Sequence, residues 1–201
     1  MLKDKRIMTI LAHPDDETLG CGGILHKYNK QATLCLIAVK RIEEQTKSAL
    51  KTLGIHNCIF GAFDDQQLDK YPLLDLVKWV SSNIDRFNPD IVITHFDRCL
   101  NQDHRQLFEA CLIATRPVKH HIPLLSCEIP SSTGFLGAFN PNYYVELSPE
   151  DILCKMNAVE EYVSELKKSR SPEVISALAR VRGAEGGYDY AEGFKVIRGY
   201  E

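Results

Sequence analysis

The chain has 201 residues, a formal net charge of −3 with histidines neutral, 44% hydrophobic residues and 25% charged ones, the balance of one globular domain with a sizeable core. No dense Lys/Arg run is present, which argues against a nucleic-acid partner, and no apolar stretch approaches the roughly 18 residues of a membrane span. Seven scattered cysteines without a CxxC pair, and an N-terminus without a signal-peptide pattern, predict reduced thiols and a cytoplasmic protein.

Ile7 to Ala12 is a short run rich in β-formers that stops at His13-Pro14, the pattern of a buried strand. Thr18 to Tyr28 follows as a helix, with Asp15, Asp16 and Glu17 at its positive end and with Gly20, Gly22 and Gly23 allowing close approach to the sheet. Ala32 to Val39 is a second continuous apolar strand, and strand, helix, strand over about 30 residues is a βαβ unit. Ile42, Ala49, Leu50 and Leu53 share one helical face, with Gly54 placed to cap it. Cys58 to Phe60 predicts a short strand, and Pro72 opens a helix with apolar positions Leu73, Leu76, Val77, Val80, Ile84 and Phe87. Asn88-Pro89 ends that helix.

Ile91 to Thr94 is the next buried strand, Asp103 to Thr115 a helix with Leu107, Ala110, Cys111 and Ala114 inward, Leu124 to Ile129 and Tyr143 to Leu147 further strands. Ser131 to Asn142 is read as irregular. Two helices are expected to finish the chain. Ser148-Pro149-Glu150-Asp151 starts one, with a stripe of Ile152, Met156, Val159, Val163 and Leu166. Ser171-Pro172-Glu173 starts the other, which Gly183 is placed to end. The whole predicts one α/β domain over residues 1–201 with a mainly parallel sheet flanked by helices.

His13, Asp15, Asp16 and Glu17 crowd an imidazole and three carboxylates into five residues just past a strand's carboxyl end, the edge where open α/β sheets bind ligands. Such a cluster calls for positive charge, which a divalent cation supplies more fully than a helix terminus. His13 and Asp16 can converge on one ion, while Asp15 stays free as a base on a water. A catalytic site needs a third donor, and Asp103-His104, after the Ile91–Thr94 strand, offers it. The set suits zinc; Fe2+, Mn2+ or Co2+ are compatible with the same ligands.

The stretch His13-Pro14-Asp15-Asp16-Glu17-Thr18-Leu19-Gly20-Cys21-Gly22-Gly23 resembles the signature of the PIG-L/LmbE-like zinc N-deacetylases. The resemblance continues through Arg41-x-x-Glu44, Leu53-Gly54-Ile55, Asp90 to His95, and Leu100 to Arg105. It extends to Glu128 to Thr133, Phe139 to Asn142, Tyr162-x-Ser164-Glu165, Arg182-Gly183 and Tyr190-Ala191-Glu192-x-Phe194, a pattern similar to a bacterial sugar-deacetylase branch. It implies a single Rossmann-like three-layer domain and removal of the N-acetyl group from an N-acetylated amino sugar or sugar conjugate. It further implies His13, Asp16 and His104 as zinc ligands, Asp15 as general base and Asp103 beside the ligands. Asn101 stands where many members carry a histidine; it can donate a hydrogen bond but cannot titrate near neutral pH. The loop after the second strand is shorter than in relatives.

The machinery expected is therefore Asp15, Asp103 and Asn101 for catalysis, with Arg41, Ser131, Ser132 and Arg182 contacting the substrate and His95 as an alternative acid. Two other readings stay open: a metal hydrolase acting on another amide or a phosphoester bond, and a non-catalytic sugar-binding descendant. The expected partner is a small N-acetylated sugar or sugar conjugate, with no nucleic acid and no membrane span, and a homo-oligomer is compatible with the sequence.

Overall fold

In the computed structural model, which describes residues 1–200 and leaves the domain's last expected residue, Glu201, outside the described residues, the strands run β1 (Ile7–Leu11), β2 (Thr33–Val39), β3 (Cys58–Phe63), β4 (Ile91–Thr94), β5 (Leu124–Ser126), β6 (Tyr143–Glu146) and β7 (Ala191–Arg198). They form one sheet in the order β3-β2-β1-β4-β5-β7-β6. The first five are parallel; β7 is antiparallel to both β5 and β6. The helices are α1 (Asp16–Lys27), α2 (Glu43–Thr52), α3 (Leu73–Phe87), α4 (Gln102–Ala114), α5 (Pro149–Glu160) and α6 (Pro172–Gly186).

Every residue of β1, β2 and β4 is buried, because helices cover both faces of the parallel strands. Alternation along β1 feeds two cores. Ile7 and Leu11 join residues of α1, α2, α5 and α6; Met8 and Ile10 join residues of α3 and α4. Helix α1 is buried from Asp16 to Leu25, so its glycines are packing devices. A Cβ on Gly20 would meet Cys127 Sγ at 2.7 Å, and one on Gly23 would meet Leu147 Cδ1 at 2.4 Å. Gly20 lets the helix approach the end of β5, as expected, whereas Gly23 makes room for the β6–α5 junction instead of the parallel strands.

Four expectations need correction. Strand β5 stops at Ser126 because Ile129 begins a turn: its carbonyl accepts from the N–H groups of Ser132 and Thr133, and its own N–H donates to Thr133 Oγ1 at 2.8 Å. Helix α5 ends at Glu160, so Val163 and Leu166 leave the apolar stripe and stand 73% and 40% exposed. The chain turns there because Tyr162 is drawn inward, its hydroxyl donating to Glu17 Oε1. Helix α6 passes through Gly183 to Gly186, and Gly187 takes the left-handed cap at φ 79°. The chain then ends on a strand, β7, that the apolar pattern does not announce, since Glu192, Gly193 and Lys195 interrupt it. Glu192 is buried in β7 by pairing with Lys155 Nζ at 2.6 Å and accepting the N–H groups of Gly23 and Ile24. No helix among the described residues is long and apolar enough to cross a membrane.

Candidate metal centre

The strand order reverses between β1, which leads through α1 to β2 on one side, and β4 on the other. Such a switch point opens a crevice at the carboxyl ends of the strands. His13, Asp15 and Asp16 follow β1 there, and Asp103 and His104 open α4 after β4. Proline follows His13, and Asp15 takes the left-handed conformation at φ 100° as the residue before α1. This backbone is rare for a residue with a side chain and is a form of local strain. It is held by the Asp15 carbonyl, which accepts from Thr18 and Leu19 N–H at 3.1 and 2.8 Å. Glu17 braces the same turn by accepting the Asp15 N–H at 3.2 Å.

Three donor atoms meet inside this crevice. His13 Nδ1 lies 3.1 Å from His104 Nε2 and 3.3 Å from Asp16 Oδ2, while His104 Nε2 lies 3.2 Å from the same oxygen. All three residues are buried. Donors about 2.1 Å from a tetrahedral zinc ion are separated from one another by about 3.4 Å, so the triangle's edges come close to those of one face of such a site. The far nitrogens complete the pattern: His13 Nε2 donates to Asp103 Oδ2 at 2.9 Å, and His104 Nδ1 faces Cys99 Sγ at 3.1 Å. Cys99 in turn donates to Ser132 Oγ at 3.1 Å. With the far nitrogens engaged from behind, the near nitrogens of both rings can turn lone pairs towards a shared cation beside Asp16 once their own protons are displaced.

The electrostatics follow from that crowding. Burial disfavours charge on His13, yet hydrogen bonds and proximity to Asp103 and Asp16 outweigh it and lift its pKa from 6.5 to about 10. Burial acts likewise on His104, and Asp16 with Cys99 raises it to about 9. Asp16 itself is pushed up by burial but held well below the usual carboxylate range by His104, His13 and His95. Asp15 behaves oppositely: burial and the Asp16 charge lift it well above its ordinary value despite Arg170.

The remaining predicted residues divide. Asp103 is buried behind His13, and its second oxygen accepts the Leu68 N–H at 3.1 Å, so it holds the His13 ring instead of facing the crevice. Asn101 caps α4 through its Oδ1, which accepts the Asp103 N–H at 2.9 Å. Ser131 Oγ accepts from Arg170 Nε at 2.9 Å, and Ser132 is occupied by Cys99. Arg41 reaches the rim between Glu165 at 2.9 Å and Asp65 at 3.5 Å. Arg182 grips Glu128 with Nε and Nη2 at 2.6 and 2.8 Å and Glu185 with Nη1; none of its hydrogen bonds reaches the metal triangle. His95 is fully buried, accepts the Ala12 N–H at 2.8 Å and stacks on His104 with ring centroids 3.7 Å apart. Burial keeps it neutral, and its enclosure removes it as an acid for substrate.

Four contributors escape sequence reasoning. Arg170 forms an ion pair with Asp15, Gln66 Nε2 stands 3.3 Å from His13 Nε2, Asp65 Oδ1 stands 3.5 Å from the same nitrogen, and Cys99 backs His104. A cysteine five residues before a candidate ligand histidine is a spacing signal of sorts. Nothing in the sequence links position 170 to position 15.

Fold and site together define a Rossmann-like α/β protein with a candidate His/Asp metal centre at the switch point of its sheet. Residues 32–115 match the PIG-L family, described as GlcNAc-PI de-N-acetylase; the interval contains His104 and leaves out His13 to Asp16. The chain is 28% identical over 178 residues to the uncharacterized deacetylase YaiS of Escherichia coli, covering 81% of this chain and 92% of that protein. It is 26% identical to the diacetylchitobiose deacetylase of Thermococcus kodakarensis, covering 97% and 84%. The N,N'-diacetylchitobiose deacetylase of Pyrococcus horikoshii has the same fold, at a TM-score of 0.78 and 17% identity over 97% of this chain and 85% of that one. So does GalB of Pseudomonas putida, a 4-carboxy-2-hydroxymuconate hydratase, at 0.71 and 17% over 97% of each chain. The chain is thus similar to the PIG-L family over residues 32–115, and the curated relatives it matches are named as deacetylases.

Proposed function

We propose that this protein is a zinc-dependent N-deacetylase that hydrolyses the acetamide of an N-acetylated amino sugar or sugar conjugate, releasing acetate and a free amine. The reading is carried by the three donor atoms of His13, Asp16 and His104, set 3.1 to 3.3 Å apart with each imidazole held from behind. It is supported by the deacetylases among its relatives. Zinc, when bound, supplies Lewis acidity towards the amide carbonyl and lowers the pKa of a water towards ~7.

The chain's own residues do the rest. Asp15, kept out of the ligand set, takes the proton of the attacking water; its raised pKa matches a base that must also return that proton to the departing nitrogen. Asp103 fixes the His13 ring, and Cys99 fixes His104. Asn101, with its oxygen turned to the α4 N-terminus, has its Nδ2 left to donate towards the oxygen that gains charge. Arg41 and Ser131 stand at the rim, where sugar hydroxyls would rest, and Arg182 serves the Glu128 pair. The acyl carbon–nitrogen bond breaks, the amine leaves protonated, and acetate follows.

The hydratase of the same fold keeps a second reading in view: activation of water for a different acceptor. Zinc-loaded protein should release acetate from N-acetylglucosamine or diacetylchitobiose, and Asp15→Asn should retain the metal and lose the activity. Acetate formation by neither sugar, combined with tight binding of one, would transfer the protein to the sugar-binding class.

A further inference from the structure

Arg170 lies in a 3₁₀ turn, Lys168–Arg170, between α5 and α6, far in sequence from the Asp15 turn and from Ser131. Resting on the assignment of Asp15 as the base, we propose that Arg170 is a positioning residue whose guanidinium, anchored on Ser131, holds the Asp15 carboxylate in its working place beside the metal ligands.

The geometry carries this in three steps. Among the described residues the Asp15 side chain has one hydrogen-bond partner, Arg170 Nη1 on Oδ2; Asp15 is buried next to Asp16 and Glu17, both of which repel it. A buried carboxylate with no donor of its own would turn outwards or protonate, and the left-handed backbone at φ 100° does not by itself choose among its rotamers. Arg170 in turn is not free to wander. Its Nε donates to Ser131 Oγ at 2.9 Å, and Glu165 Oε2 stands 3.8 Å from Nη1. Glu165 is itself tied to Arg41 at 2.9 Å. The planar guanidinium thus connects the β1 turn, the β5 turn and the α5–α6 connection, and a planar, always-charged fork suits this work where a lysine ammonium does not.

A static bridge that merely stabilises the fold would show in melting temperature. A contact that blocks the base would show as higher activity when removed. A positioning residue shows in kcat with KM and zinc content intact. For Arg170→Ala the expected result is a fall in kcat of about 100-fold, the scale of a misplaced reacting group, with KM and zinc content held. Arg170→Lys should lose less, and added guanidinium ion should restore part of the Arg170→Ala loss. A crystal structure of the zinc-loaded Arg170→Ala protein should show the Asp15 carboxylate displaced. Unchanged or increased kcat, a loss explained by missing zinc or by lowered stability in both variants, or an unmoved Asp15 side chain each overturns the proposal. If the wild-type protein turns over no N-acetylated sugar, the deacetylase reading fails by itself, and the position of Asp15 in the variant's crystal structure still decides this one.

Discussion

Nε2 of His13 stands 2.9 Å from Oδ2 of Asp103, and the other oxygen of that carboxylate accepts the Leu68 N–H at 3.1 Å. The pair links the loop after β1, the start of α4 and the 3₁₀ turn before α3, so the ring plane of a candidate ligand is set by two segments distant in sequence. Carboxylates placed behind metal-binding histidines fix tautomer and orientation, and losing one weakens metal binding by about 10- to 100-fold.

Asp103→Asn should therefore weaken zinc binding by about tenfold or more while leaving the fold in place, because the amide can keep the Leu68 hydrogen bond. Competition with a chelator measures it, and an unaltered zinc affinity would remove Asp103 from its place behind His13.

Zinc uptake should release protons. The pKa values of His13 and His104, about 10 and about 9 in the metal-free site, mean that at pH 7 the pair holds protons that a metal displaces; only one hydrogen fits between nitrogens 3.1 Å apart. At least one proton per zinc is expected at pH 7, with affinity rising as the pH is raised towards 9. Calorimetry in buffers of different ionisation enthalpy counts the protons, and a count of zero contradicts the assignment.

The same values set the pH dependence of the metal-free fold. A histidine whose folded pKa exceeds its ordinary 6.5 contributes stability that is complete below 6.5 and is lost as pH rises through the folded value. Metal-free protein should thus lose stability between pH 6.5 and about 10, and zinc should abolish that loss. Denaturation at several pH values, with and without zinc, tests this; a flat metal-free profile argues against protonated imidazoles.

Asp15→Asn should remove the proposed base without removing a proposed metal ligand. Activity should fall by about 100- to 10,000-fold, the range for a general base, at unchanged zinc content. Equal turnover by wild type and variant would free Asp15 from its assigned role.

Away from the site, Lys155 and Glu192 form a buried ion pair at 2.6 Å. Lys155→Met leaves Glu192 buried with only the Gly23 and Ile24 N–H groups as donors, so a loss of about 3 kcal/mol in unfolding free energy is expected. Urea denaturation reads it; a loss below about 1 kcal/mol would show that the two backbone donors alone satisfy the carboxylate.

The parallel half of the sheet is legible because its strands are buried on both faces: Ile91 to Thr94 is apolar apart from its last residue and matches β4 residue for residue. Helix starts at Ser148 and Ser171 are legible because capping is local chemistry, and both serines accept the expected N–H groups. Strand β7 is not legible, since its Glu192 is tolerated only because Lys155, thirty-seven residues away, neutralises it. The break after α5 escapes for the same reason: Val163 continues a helical period, but the pull of Glu17 on Tyr162 ends the helix first.

What the amino-acid order settles unaided is whatever neighbours along the chain can enforce: the alternation that buries β1, the caps that open the helices, and the crowding of His13, Asp15 and Asp16 at a strand end. The meeting of His104 with His13, the support of the His13 ring by Asp103, and the engagement of Asp15 by Arg170 belong to the tertiary structure alone. A hydrogen bond of about 3 Å between residues ninety or more positions apart depends on how strands are ordered and helices packed, and no local preference carries that information.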